Sequence, residues 1–428
     1  MTYSEALTYM YEQLPMFHRI GKSAYKANLD NALFLDNWFE NPHNQYKTIH
    51  IAGTNGKGSV SHMLAGILHT AGYKTGLFTS PHLKDFRERI RVNGHMIPEV
   101  EVVDFIEKSK TVFDEVKPSF FEMTSALAFY YFAKVNVDVA IIEVGMGGRL
   151  DSTNIINPIL SVITNIGLDH TEFLGDTLEK IAFEKAGIIK DNVPVVVGEH
   201  HPETWPVFEK VANEHKSNIT LVDAIFKAEA IINNTDKQSF NIYRNSNLFL
   251  ENVELDLLGQ YQQKNVCTVI AATEELKKQG LSIPDTAVYK ALNETSLITG
   301  LQGRWQVLGH SPLIVCDTGH NKDGISWVVE QIKTVKYKKL HMVIGFVKDK
   351  DVTNILKLLP TDATYYFTNA QIPRALPADE LKQLALSYHL QGNSYISVKE
   401  GLETAKKVAD KEDFIFAGGS NFVVGEIV

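Results

Sequence analysis

Short runs of β-branched and apolar residues recur along the chain, separated by longer segments in which apolar positions return at helical spacing. Eight runs read as buried strands: residues 48–52, 137–144, 160–164, 193–197, 313–316, 341–344, 364–368 and 414–417. Each is continuous rather than alternating, as expected where helices cover both faces of a sheet. Alternation of such strands with helices predicts an α/β architecture with parallel sheets. Polar and glycine-rich segments follow several strands at once, and open α/β sheets hold ligands beyond the carboxyl ends of their strands. Between 223 and 258 the texture shifts to short alternating stretches such as Phe240-Asn241-Ile242-Tyr243 beside an Asn-rich segment at 231–235. A small antiparallel insertion is expected there. Residues 259–280 read as a helix, and 296–303 as a hinge into a second α/β unit, dividing the chain into 1–297 and 298–428.

Composition narrows the class. Hydrophobic residues make up 44% and charged residues 22% of 428, enough for large cores. The net charge is −9, with 51 acidic against 42 basic residues and no long cationic run. That argues against nucleic-acid binding, which needs clustered cations, but leaves room for a locally positive pocket. The two cysteines, Cys267 and Cys316, lie in apolar surroundings and read as buried thiols rather than a disulfide or metal site. Residues 1–17 form an amphipathic helical pattern carrying Glu5 and Glu12, without the basic start and apolar run of a signal peptide. No stretch reaches the ~18–20 apolar residues of a membrane span. A cytoplasmic enzyme with no membrane partner is expected.

The sharpest local signal is Gly53-Thr54-Asn55-Gly56-Lys57-Gly58-Ser59, set between the first strand and a helical pattern over 60–71. A strand, a glycine turn and a helix N-terminus direct backbone N–H groups and a positive dipole end at one small volume. Lys57 adds a mobile charge for outer phosphates, and Ser59 a hydroxyl able to support magnesium directly or through water. The second run ends in Glu143, followed by Gly145-Met146-Gly147-Gly148-Arg149. A carboxylate at the tip of a buried strand needs a cation or several donors. Magnesium is the natural partner beside phosphates, and a cap or a pair with Arg149 is the plain alternative. The third run leads to Asp169-His170, expected on a strand neighbouring that of Glu143. Lys185, in the helical stretch 181–188, reads by itself as a surface ion-pair lysine. Ser80-Pro81-His82-Leu83 and the basic stretch after Glu88 form a polar loop suited to phosphate or an acidic substrate.

Together these segments resemble the folylpolyglutamate synthase/dihydrofolate synthase family, within the wider group of Mur-like ligases. The resemblance rests on GTNGKGS from Gly53, SPHL from Ser80 with ERIRVNG following, EVGMGGRLDSTN from Glu143, and TNIGLDHTEFLG from Thr164. It continues through EKAGI from Glu184, GQYQQKN from Gly259, GRW from Gly303, DTGHN from Asp317 and PRALP from Pro373. It implies a P-loop ATPase domain of the Mur central type followed by a Rossmann-like ligase domain. It also implies that Thr54, Asn55, Gly56, Lys57, Gly58 and Ser59 hold ATP phosphates. Asn265, Arg304 and Asp317, with His320 beside them, would serve the nucleotide, Arg304 and Asp317 acting across the domain cleft. Ser80 and Glu143 would ligate one magnesium and His170 a second. Lys185 matches a lysine carried N-carboxylated, which turns a cation into an anion near that second ion. The pterin would contact Ser119, Phe120, Phe121, Glu122, Leu150, Asp151 and Ser152. Lys57, Glu143, His170 and Lys185 form the implied catalytic set. The sequence departs from the family pattern at Thr318-Gly319 and at Asn421-Phe422, both in the second unit.

The implied reaction joins L-glutamate to dihydropteroate, and to the γ-carboxylate of reduced folates, through an acyl phosphate made from ATP. A monomer using two Mg2+ ions is implied, with room for a monovalent cation. A cell-wall Mur ligase is the nearest rival, and it carries an extra N-terminal domain that the 47 residues before the first strand cannot supply. A nucleotide-switched binding protein would not need Glu143, His170 and Lys185 around the phosphates.

Overall fold

The computed structural model describes residues 1–12, 28–233, 237–348 and 351–428. Residues 13–17 of the expected N-terminal helix, and 234–235 of the Asn-rich segment, lie outside the described residues. Helix Tyr3–Glu12 accounts for the rest of the former.

The first sheet contains β1 (Lys47–Ala52), β2 (Thr75–Phe78), β3 (Ile90–Val92), β4 (His95–Met96), β5 (Val139–Glu143), β6 (Leu160–Ile163), β7 (Val195–Val197) and β8 (Ile219–Leu221). Their order is β4-β3-β2-β5-β1-β6-β7-β8. From β2 to β8 every pairing is parallel, and β3 and β4 add an antiparallel edge. The continuous apolar runs are explained by burial on both faces: Ile49, Ile51, Ile141 and Val162 join one core with helix Lys57–Thr70, while Ala140 and Ile142 join another with helix Phe120–Lys134. One sequence expectation is corrected here. The strand leading to His170 does not neighbour the strand ending in Glu143, because β1 lies between them. Glu143 is in register with Ile51, and Ile163 with Ala52, so both flank the loop that leaves β1.

The expected insertion is a three-stranded antiparallel sheet of β9 (Phe226–Asn233), β10 (Gln238–Arg244) and β11 (Asn247–Leu255). Helix Gln262–Lys278 follows, packing Val266, Val269 and Ile270 into the first core. The hinge segment begins as a short helix, Thr295–Thr299. Beyond it, β12 (Gln306–His310), β13 (Leu313–Asp317), β14 (Leu340–Ile344), β15 (Thr364–Phe367), β16 (Gln391–Ser394) and β17 (Phe414–Gly418) form a second sheet ordered β12-β13-β17-β14-β15-β16. It is parallel except for the β12 edge. Both cysteines are buried and free. No helix among the described residues is long and apolar enough to cross a membrane.

Candidate active site

The loop after β1 is shaped by two glycines with positive φ, Gly53 (146°) and Gly56 (85°). A side chain at either is excluded twice over. A Cβ at Gly53 would stand 1.9 Å from Thr164 Oγ1, and one at Gly56 2.4 Å from Asn265 Oδ1. The loop is stitched to the segment after β6. Thr54 N–H donates to Asn165 O (2.9 Å), Asn55 N–H to Asn165 Oδ1 (2.8 Å), and Thr164 Oγ1 to Asn55 O (2.6 Å). Thr54 Oγ1 and Gly167 exchange a further pair of bonds. Thr54 and the Asn55 amide therefore build the loop. The N–H groups opening helix Lys57–Thr70 have no partner within the helix and are left for an anion.

Two lysines meet on one carbonyl. Lys57 Nζ donates to Gly53 O (2.9 Å) and Thr54 O (3.3 Å), and Lys185 Nζ donates to the same Gly53 O (3.0 Å). Lys185 is 4% exposed, and the surface ion pair expected of it belongs instead to its neighbour Glu184, which holds Arg149 at 2.8 Å. Burial, reinforced by Lys57, pushes the Lys185 amine down to about 7. Helix Leu178–Ala186 presents it inward while Glu184, partly exposed, turns to Arg149 at the edge of the protein.

Glu143, 3% exposed, closes the other flank. Ser80 N–H donates to it, yet its Oε2 is buried without a partner. Desolvation lifts it to about 7 despite the pull of Lys57, Arg304, Ser80 and Arg89. A strand-end carboxylate that has lost its water and keeps an unbonded oxygen fits a hard divalent cation. Ser80 lines the same cleft. His170 lies beyond β6 with φ 50°, capping the short helix Thr171–Leu174 and lining the cleft from the opposite side. Among the described residues no three His, Cys, Asp or Glu side chains converge. A hard divalent ion held here by Glu143 and Ser80 would need further oxygen ligands from phosphate and water, which magnesium accepts. The Ser59 hydroxyl accepts from Gln262 Nε2 at 3.0 Å, tying the loop helix to helix Gln262–Lys278. Asn265, on that helix, donates to Gln262 Oε1 (2.8 Å).

The second sheet delivers the remaining groups. Asp317, at the end of β13, is buried and accepts from Tyr261 OH (2.6 Å), Trp305 N–H (2.7 Å) and Gly319 N–H (2.7 Å). Desolvation raises its carboxyl above the usual range even so. Thr318 Oγ1 accepts from Arg304 Nη1, so both residues of the Thr318-Gly319 departure have defined contacts. His320 Nδ1 bonds Thr318 O (3.0 Å), and its Nε2 lies 3.6 Å from Asp169 Oδ2. Asn321 Nδ2 reaches Asn55 Oδ1 (3.0 Å) and Asp169 Oδ2 (3.2 Å), joining the two units directly.

At the far end Ser119 and Glu122 cap helix Phe120–Lys134 on each other, which occupies part of both side chains. The Phe121 ring covers Gly145, where a Cβ would approach within 2.4 Å. Asp151 accepts from Met146 N–H (2.9 Å), Thr153 N–H (3.0 Å) and Thr153 Oγ1 (2.5 Å), so it holds the glycine loop that follows Glu143. Ser152 accepts from Ser125 Oγ at 3.2 Å. Leu150 and all the other singled-out residues line one cleft of about 380 Å3. Arg89, Asn165, Asp169, Glu199, Tyr261 and Lys264 line it as well. Of these, sequence reading gave only Arg89 a role, as part of the basic stretch suited to phosphate or an acidic substrate. Arg89, Asn165, Asp169 and Tyr261 lay inside quoted motifs, which was the available signal. Lys264, inside the GQYQQKN motif, is held by Glu199 at 2.5 Å and placed over the Trp327 ring, while Glu199 lay outside every quoted motif.

Comparison with known proteins gives the same picture at the level of families. Residues 51–273 match the Mur ligase middle domain, and 303–421 match the Mur ligase, glutamate ligase domain. The chain is 35% identical over 353 residues to the dihydrofolate synthase/folylpolyglutamate synthase of Bacillus subtilis, covering 79% of this chain and 80% of that protein. It is 30% identical over 439 residues to a probable bifunctional folylpolyglutamate synthase/dihydropteroate synthase of Haloferax volcanii, matching all of this chain but only 50% of that longer protein. Among solved structures, an Escherichia coli enzyme in complex with DHPP and ADP superposes with a TM-score of 0.86 at 29% identity, covering 100% and 97% of the two chains. A bifunctional folylpolyglutamate synthase/dihydrofolate synthase with Mn, AMPPNP and L-glutamate bound gives 0.85 at 27%, with the same coverage.

Proposed function

The chain belongs to the folylpolyglutamate synthase/dihydrofolate synthase family of ATP-dependent glutamate ligases, and from that premise we propose that it carries both activities. It joins L-glutamate to dihydropteroate, and extends reduced folates at their γ-carboxylate. One observation carries the reading. The phosphate loop, the unpartnered Glu143 oxygen and the Ser119–Glu122 wall share one cleft, which residues of the second sheet close from above. That arrangement suits a reaction whose nucleotide, anionic acceptor and incoming amine must meet away from water.

Ionised carboxylates do not react with amines at neutral pH. An acceptor carboxylate oxygen attacks the ATP γ-phosphorus, the bond from that phosphorus to the β–γ bridging oxygen breaks, and ADP leaves. The glutamate amine then attacks the acyl carbon, the carbon–oxygen bond to phosphate breaks, and the amine gives up a proton. In this scheme Thr54 through Ser59 cradle the phosphates, and Asn265, Arg304, Asp317 and His320 hold the nucleotide. Ser80 and Glu143 hold one divalent ion and His170 a second. Bound magnesium supplies charge neutralisation at the transferring phosphoryl group. Lys185, whose amine is brought down to about 7 by burial and Lys57, is positioned to take up CO2 as an N-carboxylate, an anion that Lys57 beside it at Gly53 O would attract. The pterin is held by Ser119, Phe120, Phe121, Glu122, Leu150, Asp151 and Ser152. Residues 1–297 and 298–428 act as two domains of a cytoplasmic monomer.

The test is ADP release with ATP, Mg2+ and L-glutamate, comparing dihydropteroate, tetrahydrofolate and no acceptor. Turnover with both acceptors is expected, turnover with one alone would reduce the assignment to that activity, and none with either would sink it.

A further inference from the structure

Arg89 is a buried cation without an ion-pair partner among the described residues. It ends the turn Phe86–Arg89 ahead of β3 and is 4% exposed. Its Nε donates to His82 Nδ1 at 2.8 Å, and its guanidinium carbon lies 5.2 Å from the centre of the Phe120 ring. Two of the carboxylates nearby are engaged elsewhere: Asp85 holds Arg87 at 2.6 Å, and Glu88 accepts the amides of Leu83, Lys84 and Asp85. Glu143 accepts from Ser80 and keeps an unbonded Oε2, which forms no ion pair with Arg89. Among the described residues no acid lies within ion-pair distance of Arg89. Among the described residues its two terminal nitrogens have no hydrogen-bond partner, and Arg89 lines the cleft. Burying a guanidinium without an anion is costly, and with Nε committed to His82 the edge left free is the Nη1–Nη2 fork that fits a carboxylate.

Its place defines the anion. Arg89 lies over the Phe120 ring and close enough to Glu143, the acceptor of the Ser80 N–H, to feel its charge, whereas Lys57 and Arg304 lie beside the phosphate loop. This is the junction of the acceptor end and the phosphate end. We propose that Arg89 is a further catalytic residue, whose guanidinium fork receives the acceptor carboxylate that is converted to the acyl phosphate. The same fork serves either acceptor, since each presents a carboxylate at the reacting end. Burial brings the guanidinium down to about 10, still cationic at neutral pH. His82 Nδ1, accepting from Arg89 Nε, fixes the plane of the fork.

The inference rests on the acceptor assignment above, and the test separates the two. Dissociation constants are measured for dihydropteroate and for its carboxamide, in the presence of Mg2+ and a non-hydrolysable ATP analogue, with the full chain and its Arg89→Gln and Arg89→Lys variants. The unmodified protein is expected to favour the carboxylate by about 10- to 100-fold, the range for hydrogen bonds to a charged group. In Arg89→Gln that preference falls below about threefold with nucleotide affinity unchanged, and Arg89→Lys lies between, having a charge without the fork. Equal weakening of both ligands would mark a structural role and overturn the proposal, as would an undiminished preference. Should Arg89→Gln fail to fold, Arg89→Lys decides, since full retention of the preference there would refute the fork. Failure of the unmodified protein to bind either ligand would instead overturn the acceptor assignment, and this inference with it.

Discussion

Replacing Glu143 with Gln should stabilise the ligand-free protein while removing its response to Mg-ATP. The unfolded chain releases this proton near 4.5 and the folded protein near 7. Between those values the folded state holds a proton that the unfolded state has lost, so stability falls as pH rises through the window and stays low above it. At pH 8 the penalty is about 3 kcal/mol, from ~1.4 kcal/mol per pKa unit. Gln keeps the acceptor for Ser80 N–H, but its amide nitrogen inherits the unpartnered position of Oε2, at a cost of about 1–2 kcal/mol. A net gain of about 1–2 kcal/mol remains, a rise of a few degrees in Tm for a chain of this size. At pH 5 the ordering reverses, because the carboxyl is then protonated in the folded state, its penalty falls below about 1 kcal/mol, and the amide's cost outweighs it. With saturating Mg-ATP the unmodified protein gains about 2.7 kcal/mol at a hundredfold excess over Kd, a gain the variant forgoes because its amide cannot ligate the ion. Thermal unfolding at pH 5 and 8, with and without Mg-ATP, reads all four states. A variant less stable than the parent at pH 8 without ligand, or one equally stabilised by Mg-ATP, would refute the reasoning.

Four further outcomes follow from the same geometry. Lys185→Ala should reduce turnover by a hundredfold or so, as for loss of a group that stabilises transferring charge; a carbamate resonance from 13C-bicarbonate should appear in the unmodified protein and be absent from the variant. The Lys185 shift has the opposite sign to that of Glu143: the folded state binds fewer protons between about 7 and 10.5, so this residue's contribution to stability rises with pH across that window, and Lys185→Met should flatten the rise in a pH series of denaturant unfolding. Gly56→Ala, forced into φ 85° and against Asn265 Oδ1, should lose about 1–3 kcal/mol and most nucleotide affinity, and unchanged ADP binding by calorimetry would contradict the loop geometry. Tyr261→Phe should cost about 1 kcal/mol and raise KM for ATP more than it lowers kcat, because it removes one of three bonds holding Asp317.

All eight strands read from the sequence are present, because a strand buried on both faces needs an unbroken apolar run. Those it missed give no such signal. β16 is Gln-Gly-Asn-Ser, an edge strand paired only with β15, and β2 contains Gly76, which the Phe132 ring presses against. The phosphate loop was legible for a local reason, since its glycines, lysine and serine act within seven residues. Other contacts were hidden by distance along the chain: Asn55 and Asn321 meet 266 residues apart, and no periodicity reports that. Lys185 was misread from its own surroundings in a different way. Helical spacing says only that Lys185 and Glu184 point apart, and the fold decides which of them faces water.

The segment between helix Thr295–Thr299 and β12 is six residues long, and Arg304 sits inside it. Its start is pinned, with His62 on the phosphate-loop helix bonded to Thr299 Oγ1 at 2.8 Å and the Arg91 guanidinium packed on Gly300. A tether this short sets an effective concentration for whatever it carries, and that concentration falls steeply once the chain between two sites exceeds the span it must bridge. Arg304 thus reaches the phosphate loop as a ligand already paid for in translational entropy. Separate expression of residues 1–297 and 298–428 would turn the same contact into a bimolecular encounter, so activity should then depend on the concentration of the second piece in a way that the intact chain never reveals.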